Sequence, residues 1–444
     1  MENLALAGQL SKEIFNGTQI FTNLLSRPQE FNFREIVRGI LLSGSTYLNK
    51  IGKANGASKN ERKTIARLSH TLTKIPTEKC AAFHVQSQVS QYRNETVLIL
   101  SDGGDFQKPY AKKMKKVCYT VDGSNGHRVG RGYPVHGLMA LGVESDNLSP
   151  LALRAYSTLD EDFKSEWDEQ MKNFELLRPL INSSIFDRIV IEDRGCDDEK
   201  RFLYFVNEIT CSFVTRIHAG AKSRKLMVQT EDGEFESIKV SELSEKLRYE
   251  AGSERQWWNQ KLKKYLTSKI SFQKVFLPEH LDIPFYAVFC YSEGYSEPLV
   301  ILTDLKTGDF KKAWKHFFYY KKRWEVENFY RAIKQQFGAE DFLILDFEKV
   351  RALTFCVMLA YSLLMKIKRK IMEFLGFMYK VFKDFCDRKQ RSGEHHLDLL
   401  AFLRDYFIQP EAGNSYRFYS RRFRKFLYSS TKNQLKIFDF RKIW

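Results

Sequence analysis

The stretch Phe317–Phe337, FFYYKKRWEVENFYRAIKQQF, combines many aromatic residues with closely spaced charges. Four of its side chains have the spacing Y-x2-R-x3-E-x6-K: Tyr320, Arg323, Glu327 and Lys334. The stretch has neither Gly nor Pro, and its residue types favour or tolerate a helix, so the sequence predicts one continuous helix. At about 100° per residue, the four side chains then share one narrow stripe of that helix.

An ordinary interpretation of this helix is a solvated charged face with a few exposed ion pairs. Trp324, Ile333 and Phe337 supply apolar anchors that could seat the helix on a core. A functional interpretation of Glu327 requires partner carboxylates elsewhere in the chain, each at the end of a strand.

The charge of the chain favours a polyanionic partner. Its 444 residues (52.2 kDa) contain 71 Lys and Arg against 54 Asp and Glu, a formal net charge of +17, and 14% of the residues are aromatic. This excess favours nucleic acid over an acidic small molecule, with a merely basic soluble protein as the alternative. The length predicts two or three domains.

Cysteine usage and hydropathy predict a soluble, intracellular protein. The seven cysteines form no C-x2-C pair and their number is odd, which favours free thiols in a reducing cytosol over disulfides or structural zinc. The N-terminus lacks the pattern of a secretory signal. The longest mostly apolar run, Leu353–Met365, is judged too short to span a bilayer and is predicted to be a buried helix.

Two apolar runs end abruptly in aspartate. The run 96–100 leads into Ser101-Asp102-Gly103-Gly104-Asp105, which we interpret as a buried strand opening into a tight polar turn. The run 188–192 leads in the same way into Asp193. Reactive groups collect beyond the carboxyl ends of strands in open α/β sheets, although either aspartate alone could be a turn residue or a helix cap.

The order of predicted elements is mixed α/β, with a predicted helix over 159–180 and further strands on either side of it. Residues 220–297 are interpreted as a mainly β insertion that interrupts the α/β core. The predicted divisions are a helical DNA-binding region (1–90), the first part of the core (91–219), the insertion (220–297), the second part of the core with the charged helix (298–347) and a helical, basic C-terminal region (348–444).

Three blocks together resemble the DDE transposases of bacterial insertion sequences, and more narrowly insertion-sequence family four. They are the Tyr-Arg-Glu-Lys helix at 320–334, Asp193-Arg194-Gly195 with Asp197, and the segment 108–114 after Asp102, with Asp122-Gly123-Ser124 beyond it. The resemblance extends over about residues 95–345, and its most specific part is the four-residue helix signature.

This resemblance implies an RNase H-like core in which Asp102, Asp193 and Glu327 bind divalent metal, with two Mg²⁺ ions expected and Mn²⁺ as a substitute. Carboxylates are ligands that Mg²⁺ prefers, and paired ions can activate the attacking oxygen and stabilise the leaving one. The family usually has Ser or Thr where this chain has Gly104, which leaves Asp105 as an alternative first ligand.

The partner implied is double-stranded DNA, namely the inverted repeats of the element and the target, bound by a homodimer in the bacterial nucleoid. Arg and Lys suit phosphate contacts. The tryptophan pair is predicted either to stack on an extruded base or to pack the insertion onto the core. The residues assigned to DNA are Tyr320, Arg323, Arg331, Lys334, Trp257, Trp258, Lys112 and Lys113.

The function expected from the resemblance is cut-and-paste transposition. The enzyme would cleave at the element ends by metal-dependent phosphoryl transfer, form hairpin ends and join them to target DNA. The alternatives are a catalytically inactive protein that only binds transposon ends, and a host nuclease built on the same core.

Overall fold

The computed structural model describes residues 12–56, 60–89, 91–92, 94–122, 128–178, 187–248, 252–259 and 262–374. The prediction of a basic, helical C-terminal region therefore lies outside the described residues from 375 onward. Gly123 and Ser124 of the Asp122-Gly123-Ser124 motif also lie outside them.

A mixed sheet runs through the molecule, with its strands in the order β2-β3-β1-β5-β6-β12-β11-β10-β7-β8, while β4 pairs with β3 and β9 with β10. Strand β1 is parallel to β5, which is parallel to β6, whereas β3 is antiparallel to β1. The strands are β1 (Val97–Gln107), β2 (Cys118–Asp122), β3 (Arg128–Gly142), β4 (Leu148–Ala155), β5 (Arg188–Glu192), β6 (Ser212–Ile217), β7 (Lys225–Gln229), β8 (Phe235–Lys239), β9 (Ser253–Asn259), β10 (Lys264–Leu277), β11 (His280–Ser292) and β12 (Leu299–Thr303).

The strands of residues 220–297 extend this sheet. Strand β12 pairs antiparallel with β6 on one side and with β11 on the other, and β10 and β7 follow. Continuous backbone hydrogen bonding thus joins β7–β11 to the strands around β1, and this region also contains one helix.

Helices cover both faces of the sheet. They are α1 (Arg27–Ser43), α2 (Leu48–Ala54), α3 (Glu61–Lys74), α4 (Thr77–Val89), α5 (Glu166–Glu175), α6 (Glu199–Leu203), α7 (Val240–Arg248), α8 (Phe310–Lys321), α9 (Trp324–Gln336) and α10 (Phe347–Phe374). Because side chains alternate along a strand, β1 contributes to two cores. Leu98 and Leu100 pack with α1, α9 and α10, whereas Val97 and Ile99 pack with α5 and the segment around Phe205.

The first α/β strand does not end where the sequence suggested. Strand β1 continues through Asp102 and both following glycines to Gln107, because the long strand β3 pairs with it over its whole length. Its parallel pairing with β5 stops at Leu100 opposite Ile191. Asp102 therefore lies where β1 leaves β5, within a strand, and the predicted polar turn is wrong.

The segment Phe317–Phe337 is two helices, so the prediction of one continuous helix is wrong. Helix α8 ends at Lys321 and α9 begins at Trp324. Lys322 and Arg323 keep right-handed helical angles, but the backbone N–H of Arg323 bonds the carbonyl of Tyr320, three residues back. Since neither Gly nor Pro stands there, the interruption comes from tertiary contacts of the joint and not from local propensity.

Two further helix predictions need correction. The predicted helix over 159–180 is shorter, because Ser165 caps it by accepting a hydrogen bond from the backbone N–H of Asp168 and α5 ends at Glu175. The apolar run in α10 is longer than judged: Phe347–Arg369 is long and apolar enough, by length and composition, to cross a membrane. Its most apolar window is 89% buried inside the protein, as in the core helix of a soluble protein.

Candidate active site

Three carboxylates from three separate elements converge on one guanidinium. Arg323, at the joint between α8 and α9, places its Nη1 3.0 Å from Asp102 Oδ2 of β1. Its Nη2 lies 2.5 Å from Glu327 Oε1 of α9 and 3.8 Å from Asp193 Oδ2, just after β5. The fold thus brings together the three acids that the sequence singled out, with a cation among them.

The electrostatics of these acids differ. Burial raises the pKa of Asp102 to about 7, against the opposing effect of Arg323 and with the support of the neighbouring Glu327 and Asp193 charges. Burial also acts to raise the pKa of Asp193, but the Arg323 guanidinium and a hydrogen bond from the Arg194 N–H lower it overall. The pKa of Arg323 is raised because these carboxylates outweigh its burial. The cation is therefore strongly held.

Tyrosines from both helices orient the acids. Tyr320 donates its hydroxyl hydrogen to Asp193 Oδ1 at 2.8 Å. Tyr330 donates its hydroxyl hydrogen to the backbone carbonyl of Asp102 at 2.9 Å. Sequence reasoning missed Tyr330, although it lies one turn after Glu327 on the same helix, a spacing that brings side chains to neighbouring positions.

The glycine that departs from the family pattern makes room for Tyr330. A Cβ at Gly104 would lie 3.0 Å from Tyr330 Cε1, and a Cβ at Gly137, which pairs with Asp102 on β3, would lie 2.9 Å from the Tyr330 hydroxyl oxygen. The ring therefore lies directly against the backbone of two neighbouring strands. A Ser or Thr at 104 would need the space that this ring fills.

Lys334 and Asp105 belong to a separate cluster. Lys334 Nζ lies 3.0 Å from Asp105 Oδ1 and 3.0 Å from Glu340 Oε1. Asp105 also accepts a hydrogen bond from Gln107. In this structure Asp102, and not Asp105, is the β1 carboxylate that contacts Arg323. Lys334 thus contacts Asp105 and Glu340 instead of the acids around Arg323, because α9 passes over Asp105 at that point.

The two tryptophans have different surroundings, and each fits one of the two interpretations. Trp257 is only 8% exposed, donates its indole N–H to Ser268 Oγ at 2.8 Å and meets Phe317 edge to face. Trp258 is 45% exposed and has an edge-to-face partner in Tyr265 on the next strand. Trp257 thus packs the β9–β10 hairpin onto α8, and Trp258 is the accessible ring.

The other residues assigned to DNA lie at the surface or near it. Lys112 and Lys113 are exposed in the connection between β1 and β2, where Tyr110 is 93% exposed. Arg331 is partly exposed on α9. Their contact with DNA stays a prediction.

The chemistry of the acid cluster fits a divalent cation. Three hard oxygen donors, the ligand type that Mg²⁺ prefers, surround one positive charge. Within the described ranges, no group of three or more His, Cys, Asp or Glu side chains is already spaced to hold a metal ion, since Arg323 separates these acids. Metal binding by Asp102, Asp193 and Glu327 would therefore require Arg323 to withdraw.

No curated protein matches this chain. Among solved structures, it is similar to the NurA nuclease from Sulfolobus solfataricus at 10% identity over 71% of this chain and 99% of that one, with a TM-score of 0.22, too low to support an argument about fold or function.

A family match covers the region of the candidate site. Residues 168–363 match the family described as "Transposase DDE domain". The match includes Asp193, Arg323 and Glu327, while Asp102 precedes it. The large mixed sheet is consistent with the nuclease-like fold of DDE transposases. Residues 168–363 of this chain are therefore similar to a transposase DDE domain.

Proposed function

We propose that this chain is a transposase that binds the inverted-repeat ends of an insertion sequence, cleaves them by metal-dependent phosphoryl transfer and joins them to target DNA. The observation that best supports this proposal is the convergence of Asp102, Asp193 and Glu327 from three elements, the last two within the matched DDE domain. The net charge of +17 suits a DNA partner.

In this proposal Asp102, Asp193 and Glu327 hold the metal. Mg²⁺ supplies Lewis-acid stabilisation of the phosphoryl oxygens when bound. Arg323 is the residue that must exchange partners. Its planar guanidinium, which is hydrogen-bonded to carboxylates in this structure, equally suits a DNA phosphate. Arriving DNA would then draw the guanidinium away from the acids as the metal neutralises them.

The finer steps are also proposed. We assign the cut-and-paste route with hairpin ends, action as a dimer in the bacterial cytoplasm, and insertion-sequence family four on the basis of the Tyr320-Arg323-Glu327-Lys334 spacing. Trp258 is our candidate for stacking on an extruded base, because it is the exposed member of the tryptophan pair and lies near the tip of the β9–β10 hairpin.

The deciding experiment is cleavage of a DNA fragment that has the inverted repeats flanking the reading frame, in the presence of Mg²⁺. Glu327→Gln should lower the cleavage rate at least about a hundredfold, because several kcal/mol of charge stabilisation depend on the metal site. The matched control is Glu325→Gln on the same helix, whose carboxylate contacts Asn328 and not Arg323.

Three outcomes are distinguishable. Equal cleavage by Glu327→Gln and wild type would refute the proposed site. End binding without cleavage by the wild-type protein would favour an end-binding regulator. Cleavage of any duplex regardless of the repeats would favour a host nuclease.

A further inference from the structure

A chain of buried polar side chains, joined by hydrogen bonds, lies behind the candidate acids on the opposite face of the sheet. Ser101 and Glu192 are the residues immediately before Asp102 and Asp193. Side chains alternate along a strand, so each points away from the acid that follows it, and both are fully buried. The Ser101 hydroxyl donates to Glu192 Oε1 at 3.1 Å, which joins β1 to β5 through side chains.

The chain continues into β3 with a defined direction. His136 Nε2 lies 3.0 Å from Ser101 Oγ, and its Nδ1 lies 3.0 Å from the Asn173 amide nitrogen. Since Ser101 gives its only proton to Glu192, His136 Nε2 must carry hydrogen and Nδ1 must accept from Asn173. Burial, together with the nearby Arg201 charge, lowers the pKa of His136 to about 3, which agrees with a neutral ring.

Arg201 of α6 closes the chain on the other side. Its Nε and Nη2 contact the two oxygens of Glu192 at 3.1 and 2.5 Å, and its Nη1 donates to Gln170 at 2.7 Å. The guanidinium also stacks over the Trp167 ring at 4.5 Å. The ion pair is thus a two-point contact in a dry interior, anchored to α5.

Stability alone gives a weak reason for this pair. Desolvating two charges is costly, and well-packed apolar side chains in their place are often as stable or more so. The location gives a better reason. The parallel pairing of β1 with β5 ends at Leu100 and Ile191, so no described ladder pair joins these two strands to each other beyond that point, although each stays paired with its other neighbour. The Ser101–Glu192 contact follows at once, and the two acids come next.

We propose that Ser101 and Glu192, held by His136 and Arg201, are positioning residues that set the separation of Asp102 and Asp193. A hydrogen-bonded contact of fixed length fixes how far the strands diverge at the residue before each acid. Apolar contacts would allow the strand ends more freedom. This inference rests on the proposed metal site formed by Asp102 and Asp193.

The test measures Mn²⁺ binding to the full chain by electron paramagnetic resonance, apart from any activity. The measurement is made in the presence of the inverted-repeat DNA that is proposed to draw Arg323 away from the acids, with the same DNA alone as the blank. Ser101→Ala should weaken Mn²⁺ affinity about tenfold, the lower end of what loss of outer-shell support costs a metal site. The double substitution Glu192→Met with Arg201→Met should weaken it at least as much, while its unfolding temperature stays at or above that of the wild type.

The control is Thr303→Val, which removes a buried hydroxyl from β12 of the same sheet. That hydroxyl donates to the carbonyl of Phe213 and accepts from the backbone N–H of Leu305, and neither partner belongs to the hydrogen-bonded chain through Ser101 and Glu192. It should lower stability without changing Mn²⁺ affinity. If metal affinity merely follows stability across these variants, the hydrogen-bonded side chains only stabilise the fold, and the inference is overturned.

Failure of the underlying site has a different signature. If Asp193→Asn binds Mn²⁺ as well as the wild type, the proposed metal site itself is wrong, and the inference falls with it. If Asp193→Asn loses binding while Ser101→Ala keeps full affinity, only the positioning role is wrong. Ser101→Ala is the smallest change, so it keeps the test decisive should the double variant fail to fold.

Discussion

Two adjacent glycines of β1 should respond to alanine with opposite signs. A Cβ at Gly104 would lie 3.0, 3.2 and 3.3 Å from three ring carbons of Tyr330, whereas a Cβ at Gly103 would meet no atom within 4 Å. Carbon atoms pack best at about 3.5–4.0 Å. Gly104→Ala therefore forces the ring to move, and Gly103→Ala does not.

The magnitudes follow from packing and backbone entropy. Overpacking a buried site costs typically about 1–3 kcal/mol. Replacing a strand glycine by alanine recovers about 0.5–1 kcal/mol. Gly104→Ala should thus lower the free energy of unfolding by about 1–2 kcal/mol, while Gly103→Ala should raise it by about 0.5 kcal/mol. Neither glycine has a positive φ, so backbone strain does not enter.

Urea unfolding followed by tryptophan fluorescence measures the difference, with the slope checked for each variant. The ring contact is isolated by repeating Gly104→Ala in a Tyr330→Leu background, where alanine should no longer destabilise. The reasoning is refuted if the two glycine variants are equally stable, or if Gly104→Ala is equally harmful in both backgrounds. Because Tyr330 holds the Asp102 carbonyl, Gly104→Ala should also slow DNA cleavage.

Three further predictions concern acid stability, the tryptophan pair and the first aspartate. Burial lowers the pKa of His84 to about 4. Below the unfolded-state pKa of about 6.5, the unfolded chain binds a proton that the folded chain does not, so the free energy of unfolding falls by up to about 3 kcal/mol at pH 4. His84→Gln should therefore lose less stability than the wild type between pH 6.5 and pH 4, as measured by thermal unfolding. Trp257→Ala should cost about 3–5 kcal/mol of stability, whereas Trp258→Ala should be near neutral in stability and reduce hairpin yield; unchanged yield would remove its stacking role. Asp102→Asn should abolish Mn²⁺ binding and Asp105→Asn should not, and the reverse result would make Asp105 the ligand.

Local patterns were enough to predict many elements. The apolar run 188–192 is a buried strand, and Leu353–Met365 lies within the buried helix α10. These predictions succeeded because the alternation and the burial of side chains are directly visible in the composition of apolar runs. The three acids could be nominated for a related reason, since each stands beside a strongly patterned segment.

The predictions from the sequence were wrong where contacts with residues distant in the chain decided the local structure. Strand β1 runs through two glycines because β3 supplies a partner for each residue, and glycine weakens a strand only moderately. The joint at Lys322–Arg323 interrupts residues of good helix propensity, where Tyr320 reaches Asp193 and Arg323 reaches three acids. The contacts with Asp102 and Asp193 join residues more than a hundred positions apart, and no local pattern in the sequence indicates them.

The sequence by itself determined the mixed α/β class, the basic character and the identity of the candidate acids, because these depend on composition, periodicity and spacing. Only the tertiary structure decided that Asp102 and not Asp105 shares Arg323 with Asp193 and Glu327, and that Lys334 lies in a different cluster. The physical reason is that convergence depends on where the strands diverge and how α9 crosses them. Both are set by long-range packing and hydrogen bonding.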